Sequence, residues 1–129
     1  MKKELVQQLK ERYPLIFSEV GVECGDGWYT IIDRLCSNIQ GHINWKPENC
    51  SQVVAEQVKE KFGGLRFYHR GGIGNDTIDG LVTMAEAMSE VTCEVCGNLG
   101  KRRDGGWIKT LCDTHHEERE AMRAGNGTP

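Results

Sequence analysis

One stretch narrows the possible folds more than any other. Residues 92–117 read TCEVCGNLGKRRDGGWIKTLCDTHHE. Cys93 and Cys96 are separated by two residues; fifteen residues later Cys112 is followed by His115 and His116. Two close pairs of soft donors at this separation match the spacing of a structural zinc site. Each short pair presents two donors to one side of a tetrahedral ion, and the intervening segment can double back as a small hairpin. Gly97 suits the tight turn in which backbone N–H groups point at thiolate sulfur. The second pair opens a helix, on which side chains three and four residues apart share a face. The spacing predicts a treble-clef or zinc-ribbon-like finger with a Cys3His shell of Cys93, Cys96, Cys112 and His115, with His116 as the alternative fourth ligand. Buried or disulfide-bonded thiols, and a catalytic zinc with one open position, are the competing readings. Four available protein ligands favour a closed structural site holding one zinc ion.

Six cysteines in a chain whose first residues, MKKELVQQLKERYP, lack the apolar run of a signal peptide are metal ligands or free thiols before they are disulfides. A soluble, unexported, cytoplasmic protein is expected. The 129 residues suffice for one compact domain plus a metal-stapled appendage, and 38% hydrophobic content gives a modest core. Residues 1–91 carry 10 basic and 13 acidic side chains and residues 92–129 carry 6 and 6, so neither part has the basic excess of a dedicated DNA-binding domain.

Along the chain, Leu5, Val6, Leu9 and Tyr13 give a first helix one apolar face, and Pro14 ends it. Leu15 to Phe17 form a short apolar segment that packs on the core. Glu23 to Gly27 is a turn in which Asp26 can cap the following helix. Trp28, Ile31, Ile32, Leu35, Cys36 and Ile39 form one stripe, the signature of a central core helix ending at Gly41. Residues 51–61 fit either a helix or a strand. With Gly63-Gly64 as a hairpin turn and Leu65 to Tyr68 strand-like, two antiparallel strands over 53–61 and 65–70 are preferred. A further helix starts at Asn75 or Asp76, with Ile78, Leu81, Val82, Ala85 and Met88 inward. Trp107, Ile108 and Leu111 give the finger an apolar patch. The fold class is therefore α+β: helices around a small antiparallel hairpin with a C-terminal zinc finger docked on it. The division is 1–91 for the α+β domain, 92–124 for the finger and 125–129 for a disordered tail.

Cys24, Cys36 and Cys50 have no metal-ligand spacing, and Cys36 already has a place on the core stripe. The hairpin between Arg102 and Leu111 has no His to activate water, so a nuclease reading lacks its general base. No Ser/His/Asp or phosphate-loop pattern is present, and a non-enzymatic protein is expected. On a strand, Arg66, Tyr68 and Arg70 share one face, beside Gly71 and Gly72. Two guanidiniums flanking a phenol can hold a phosphate, a carboxylate or an acidic partner. A solvated strand face is the plain alternative. Lys101, Arg102, Arg103, Lys109, Arg119 and Arg123 can touch phosphate, although neighbouring acids offset them.

The phrases Gly25-Asp26-Gly27-Trp28, Lys59-Glu60-Lys61-Phe62-Gly63-Gly64-Leu65-Arg66-Phe67-Tyr68 and Cys93-Glu94-Val95-Cys96-Gly97, with Gly106-Trp107, Leu111-Cys112 and His115, resemble a family of small proteins encoded by bacteria, phages and prophages. The resemblance covers about residues 17–116, departs from the family pattern at Gly64, and carries no assigned activity. It implies an origin in phage–host biology. Together these readings give a non-catalytic, zinc-stabilised binding protein that inhibits or adapts a partner protein, such as a host defence component. A nucleotide- or nucleic-acid-binding module using Arg66, Tyr68 and Arg70 or the basic finger is the alternative.

Overall fold

The structure, a computed structural model, describes residues 1–127. Helix α1 (Lys3–Arg12) stops at Tyr13, as Pro14 requires. Ile16 and Phe17 then turn into the core, where both are buried. The Ile16 carbonyl accepts a hydrogen bond from the Ala55 N–H, tying this segment to the central sheet. Asp26 does not cap the next helix. Its Oδ1 accepts from the Lys2 N–H at 2.8 Å, and a 3₁₀ turn, Asp26–Trp28, leads directly into α2.

Helix α2 (Tyr29–Trp45) buries Ile32, Leu35, Cys36, Ile39 and Ile43. It does not end at Gly41 as expected. Ile43 extends the apolar stripe by a further four residues beyond Ile39, and burying it outweighs the roughly 1 kcal/mol that an interior glycine costs. Gly41 is exposed, and Pro47 lies just beyond the helix end.

The ambiguous segment is a strand. β2 (Val54–Lys61) pairs antiparallel with β3 (Gly64–Arg70), with Val58 opposite Phe67 and Lys59 opposite Arg66. A register shift between Ala55 and Gln57 places Glu56 in a bulge. The turn is Phe62-Gly63, one residue earlier than expected, with φ of 54° and 82°. Left-handed backbone at both central positions is the hairpin geometry that matches strand twist. Gly64 consequently opens β3. A two-residue strand β1 (Val22–Glu23), which takes the first residue of the expected turn, runs parallel to β2 and completes a sheet of order β1-β2-β3.

Helix α3 (Asp76–Ser89) is capped by Asn75, whose side chain accepts from the Ile78 N–H at 3.1 Å. It runs along the outer edge of β3 and satisfies that edge with side chains. The Leu65 N–H donates to Ser89 Oγ at 2.8 Å and the Phe67 N–H to Glu86 Oε2 at 3.0 Å. A free edge would otherwise offer these donors to another chain. Met88, expected inward, is half-exposed, and Ser89 takes the buried position because it serves the strand edge. The finger follows: β4 (Lys101–Arg103) pairs antiparallel with β5 (Lys109–Leu111), then α4 (Asp113–Gly127). This last helix runs past residue 124, the expected end of the finger, into the expected tail, of which residues 128 and 129 lie outside the described residues. The fold is α+β with the Cys/His finger against the sheet. No helix among the described residues is long and apolar enough to cross a membrane.

Candidate metal centre

Cys93 and Cys96 sit on a knuckle closed by short backbone bonds. The Gly97 N–H donates to Cys93 O at 2.9 Å and the Cys93 N–H to Asn98 O at 2.7 Å. Gly97 has φ 84°, a conformation that glycine adopts without cost. Cys112 ends the hairpin and His115 lies in the first turn of α4. Together the donor atoms of Cys93, Cys96, Cys112 and His115 lie within 4.8 Å of one another.

The distances fit a tetrahedral ion. With Zn–S near 2.3 Å and Zn–N near 2.1 Å, tetrahedral geometry requires S···S of about 3.8 Å and S···N of about 3.6 Å. Cys96 Sγ and Cys112 Sγ are 3.8 Å apart, and His115 Nδ1 lies 3.6 Å from Cys93 Sγ and 3.2 Å from Cys112 Sγ. The ligating nitrogen is therefore Nδ1 of His115. Its Nε2 faces the exposed Glu118 Oε2 at 3.9 Å, one turn along α4, beyond hydrogen-bond distance. His116 is not among the clustered donors, so the choice between the two histidines falls on His115. Four protein donors close the shell and fit one structural zinc ion.

Electrostatics prepare the site for a cation. Burial works against ionising the Cys93 thiol, but backbone N–H groups of Cys112, Cys96 and Val95 outweigh it and hold the thiol down to about 6. Cys96 moves upward despite the Asn98 N–H, because burial and the neighbouring thiols of Cys93 and Cys112 oppose a second negative charge. The unused cysteines behave differently. Burial, helped by Glu94, pushes the Cys24 thiol up to about 12, and burial raises that of Cys36. Among the described residues neither belongs to a metal-holding group, and Cys36 lies fully buried on the core stripe.

The finger is fastened to the core by contacts that use the phrases singled out in the sequence. The Gly27 N–H donates to Glu94 O at 2.8 Å, the Gly25 N–H to Glu94 Oε2 at 2.9 Å, and Trp28 Nε1 to Thr92 O at 2.9 Å. A Cβ on Gly27 would stand 2.1 Å from Cys93 O, so the knuckle rests directly on this backbone. On the other side Thr110 Oγ1 donates to Gly63 O at 2.6 Å. Lys109 Nζ bridges Glu60 Oε1 at 3.2 Å and Glu94 Oε1 at 3.4 Å, joining β2, the knuckle and β5 in one charged link. Sequence reasoning gave Glu94 no role and placed Lys109 among possible phosphate contacts. A glutamate inside the Cys93–Cys96 pair and an alternating hairpin lysine carry no local sign of partners at Gly25 and Glu60, 69 and 49 residues away.

The strand surface is laid out differently from the metal site. Arg66 is half-buried and its Nη1 donates to the Leu65 carbonyl at 3.0 Å. Tyr68 and Arg70 are exposed. Their register partners on β2 extend the face: Lys59 lies opposite Arg66, with its Nζ 6.0 Å from the Tyr68 ring. Among the described residues, Lys59, Lys61, Arg66 and Arg70 form no ion pair. Gly71 and Gly72 have an internal reason to be glycine. With φ 74° and 64°, their Cβ atoms would meet Gln52 O at 1.8 Å and Val53 Cγ2 at 2.8 Å. Their bareness serves packing against the lead-in to β2. The apolar patch expected of the finger is split, with Leu111 buried and Trp107 largely exposed.

No family model, no curated protein and no solved structure matches this chain.

Proposed function

We propose that this is a non-catalytic binding protein, stabilised by zinc, that acts in phage–host biology by occupying a partner protein as an inhibitor or adaptor. The observation that carries the reading is the cationic outer face of β2–β3. Lys59 and Arg66 are cross-strand neighbours, a like-charge arrangement that destabilises a hairpin. Among the described residues neither this pair nor Lys61 and Arg70 has a carboxylate partner, in a chain of net charge −3. A fold that concentrates unpaired cations around one tyrosine leaves a surface suited to an anionic face on another protein. Arginine and tyrosine are also the side chains that dominate interface energetics, because they combine large contact area with fixed hydrogen-bond geometry. Arg66, Tyr68 and Arg70 are the contact residues, with the Gly71–Gly72 turn beside them. The closed metal shell supports a structural role for zinc and leaves the work to this surface.

The test compares Arg66→Ala with Arg70→Ala against Arg119→Ala in partner capture from phage-infected cells. The double variant is expected to lose capture with full zinc content and a melting temperature within about 2 °C of wild type. Loss with Arg119→Ala alone would move the working surface to the finger. A nucleotide or nucleic-acid ligand is the second reading, favoured by the phenol set among the cations. A strongly salt-dependent affinity for single strands, lost with the same double variant, would establish it.

A further inference from the structure

Two bulky aromatic side chains are held outward at the tips of two hairpins that belong to different parts of the fold. Phe62 sits at the β2–β3 turn, 62% exposed, with φ 54°. Positive φ is a costly conformation for a bulky residue, and glycine or asparagine would fill this turn position without that cost. Strain of this kind persists where the side chain has a use. Trp107 sits on the β4–β5 turn, 73% exposed, behind Gly105 and Gly106, which also have positive φ. Its loop is fixed from below by α4. An Arg119 guanidinium N–H donates to the Trp107 carbonyl, and Arg123 Nη1 donates to Gly105 O at 3.1 Å. The ring is thus displayed on a braced support.

The two tips share one cleft of about 440 Å³, walled by Phe62, Trp107, Ile108 and the stems of Glu60 and Lys61. An adjoining hollow continues past Trp107 to Lys109, Arg119 and Arg123. The charge around this opening is unbalanced. Lys61 and Arg119 have no carboxylate partner among the described residues, and the cleft's own acid, Glu60, is held by Lys109. We infer that this cleft is an anchor site for one large apolar side chain of an acidic segment of a partner protein, and that zinc assembles it by holding the finger tip against the core hairpin. A concave apolar pocket takes an aliphatic or aromatic side chain, whereas bases stacking on a single strand need open aromatic faces and a groove that tracks phosphates. Glu60 in the wall also disfavours a phosphate chain. Buried aromatic anchors with a charged rim give interfaces most of their affinity, and rim charges of opposite sign guide encounter. This inference rests on the partner-protein reading above and adds a second contact area to it.

The test uses the zinc-loaded full chain and labelled ten-residue peptides of Asp, Glu and Ser with a central Trp, Leu or Ser, followed by fluorescence anisotropy and amide chemical shifts. The Trp and Leu peptides are expected to bind at least tenfold more tightly than the Ser peptide, shifting Phe62, Gly63, Gly106, Trp107 and Ile108. Trp107→Ala and Phe62→Gly should each remove that preference, and so should chelation of zinc. Phe62→Gly should leave the melting temperature unchanged or raise it, since glycine relaxes the turn. Equal binding of all three peptides overturns the inference, as does equally tight binding of ten-residue oligo-dT through the same residues. So does a lowered melting temperature for Phe62→Gly with the peptide preference intact, which would make the ring a part of the fold. Partner capture that survives Phe62→Gly and Trp107→Ala, yet fails with Arg66→Ala and Arg70→Ala, removes the cleft and leaves the proposed function standing. Selective peptide binding by a protein that captures no partner does the reverse.

Discussion

Gly27 has open backbone where any side chain would strike Cys93 O, so the fit between knuckle and core is set by one missing methyl group. Gly27→Ala is expected to cost about 2 kcal/mol or more, because backbone on both sides must shift. Calorimetric melting of the zinc-loaded variant checks this. Glu94 is almost wholly buried, and its carboxylate is held by the Gly25 N–H and by Lys109. Lys109→Met keeps the aliphatic stem and removes the charge, leaving two carboxylates facing each other across the finger junction. A loss of about 2 kcal/mol is expected, below the 3–5 kcal/mol of a fully buried pair because Lys109 is partly exposed. Glu94→Gln on the Lys109→Met background should recover part of that loss, which a urea titration of both variants would measure.

Among the elements, α2 and the β2–β3 hairpin make the core, and both can be read from residue patterns. Alternation with Gly63 identifies the hairpin, and steps of three and four identify α2 from Trp28 to Ile39. What could not be read was tertiary in origin. Helix α2 continues through Gly41 because Ile43 has a core to enter, and that core is made by segments distant in sequence. β1 is two residues long and exists only because β2 lies beside it. Ser89 faces inward in place of Met88 because an edge strand needs its hydroxyl, a demand no helical period expresses. The metal ligands were legible because their chemistry needs few residue types at narrow spacing. Glu94 and Lys109 were not, since their roles depend on which surfaces dock. Ser89→Ala is expected to cost about 1–2 kcal/mol by leaving the Leu65 N–H buried without an acceptor. Cys36→Ala should cost about 1 kcal/mol or somewhat more through a small cavity while zinc content stays full. A fall in metal on Cys36→Ala would contradict its place in the core.

For the whole molecule, one zinc ion in the Cys3His shell staples the finger onto the α+β core. Binding of zinc to finger peptides is worth roughly 10–16 kcal/mol at neutral pH, as large as the total stability of many domains. The metal also ties stability to pH. The folded Cys93 thiol is held near 6, below its ordinary value, so its ionised form favours the folded state. That contribution is fully present above the ordinary thiol range and is lost as pH falls through about 6. Cys96 is shifted upward and must release its proton when metal binds. Zinc affinity should therefore fall by at least tenfold per unit as pH drops below about 6, measurable by competition with a chromophoric chelator. The most direct test is hydrogen exchange on the purified protein before and after zinc is removed, with metal content measured on the same sample. One equivalent of zinc per chain is expected. Its removal should strip protection from residues 92–125 and from the Gly25–Trp28 turn, while α2 and β2–β3 stay protected. Less than half an equivalent of zinc, or a finger that keeps its protection without metal, would contradict a zinc-stapled finger.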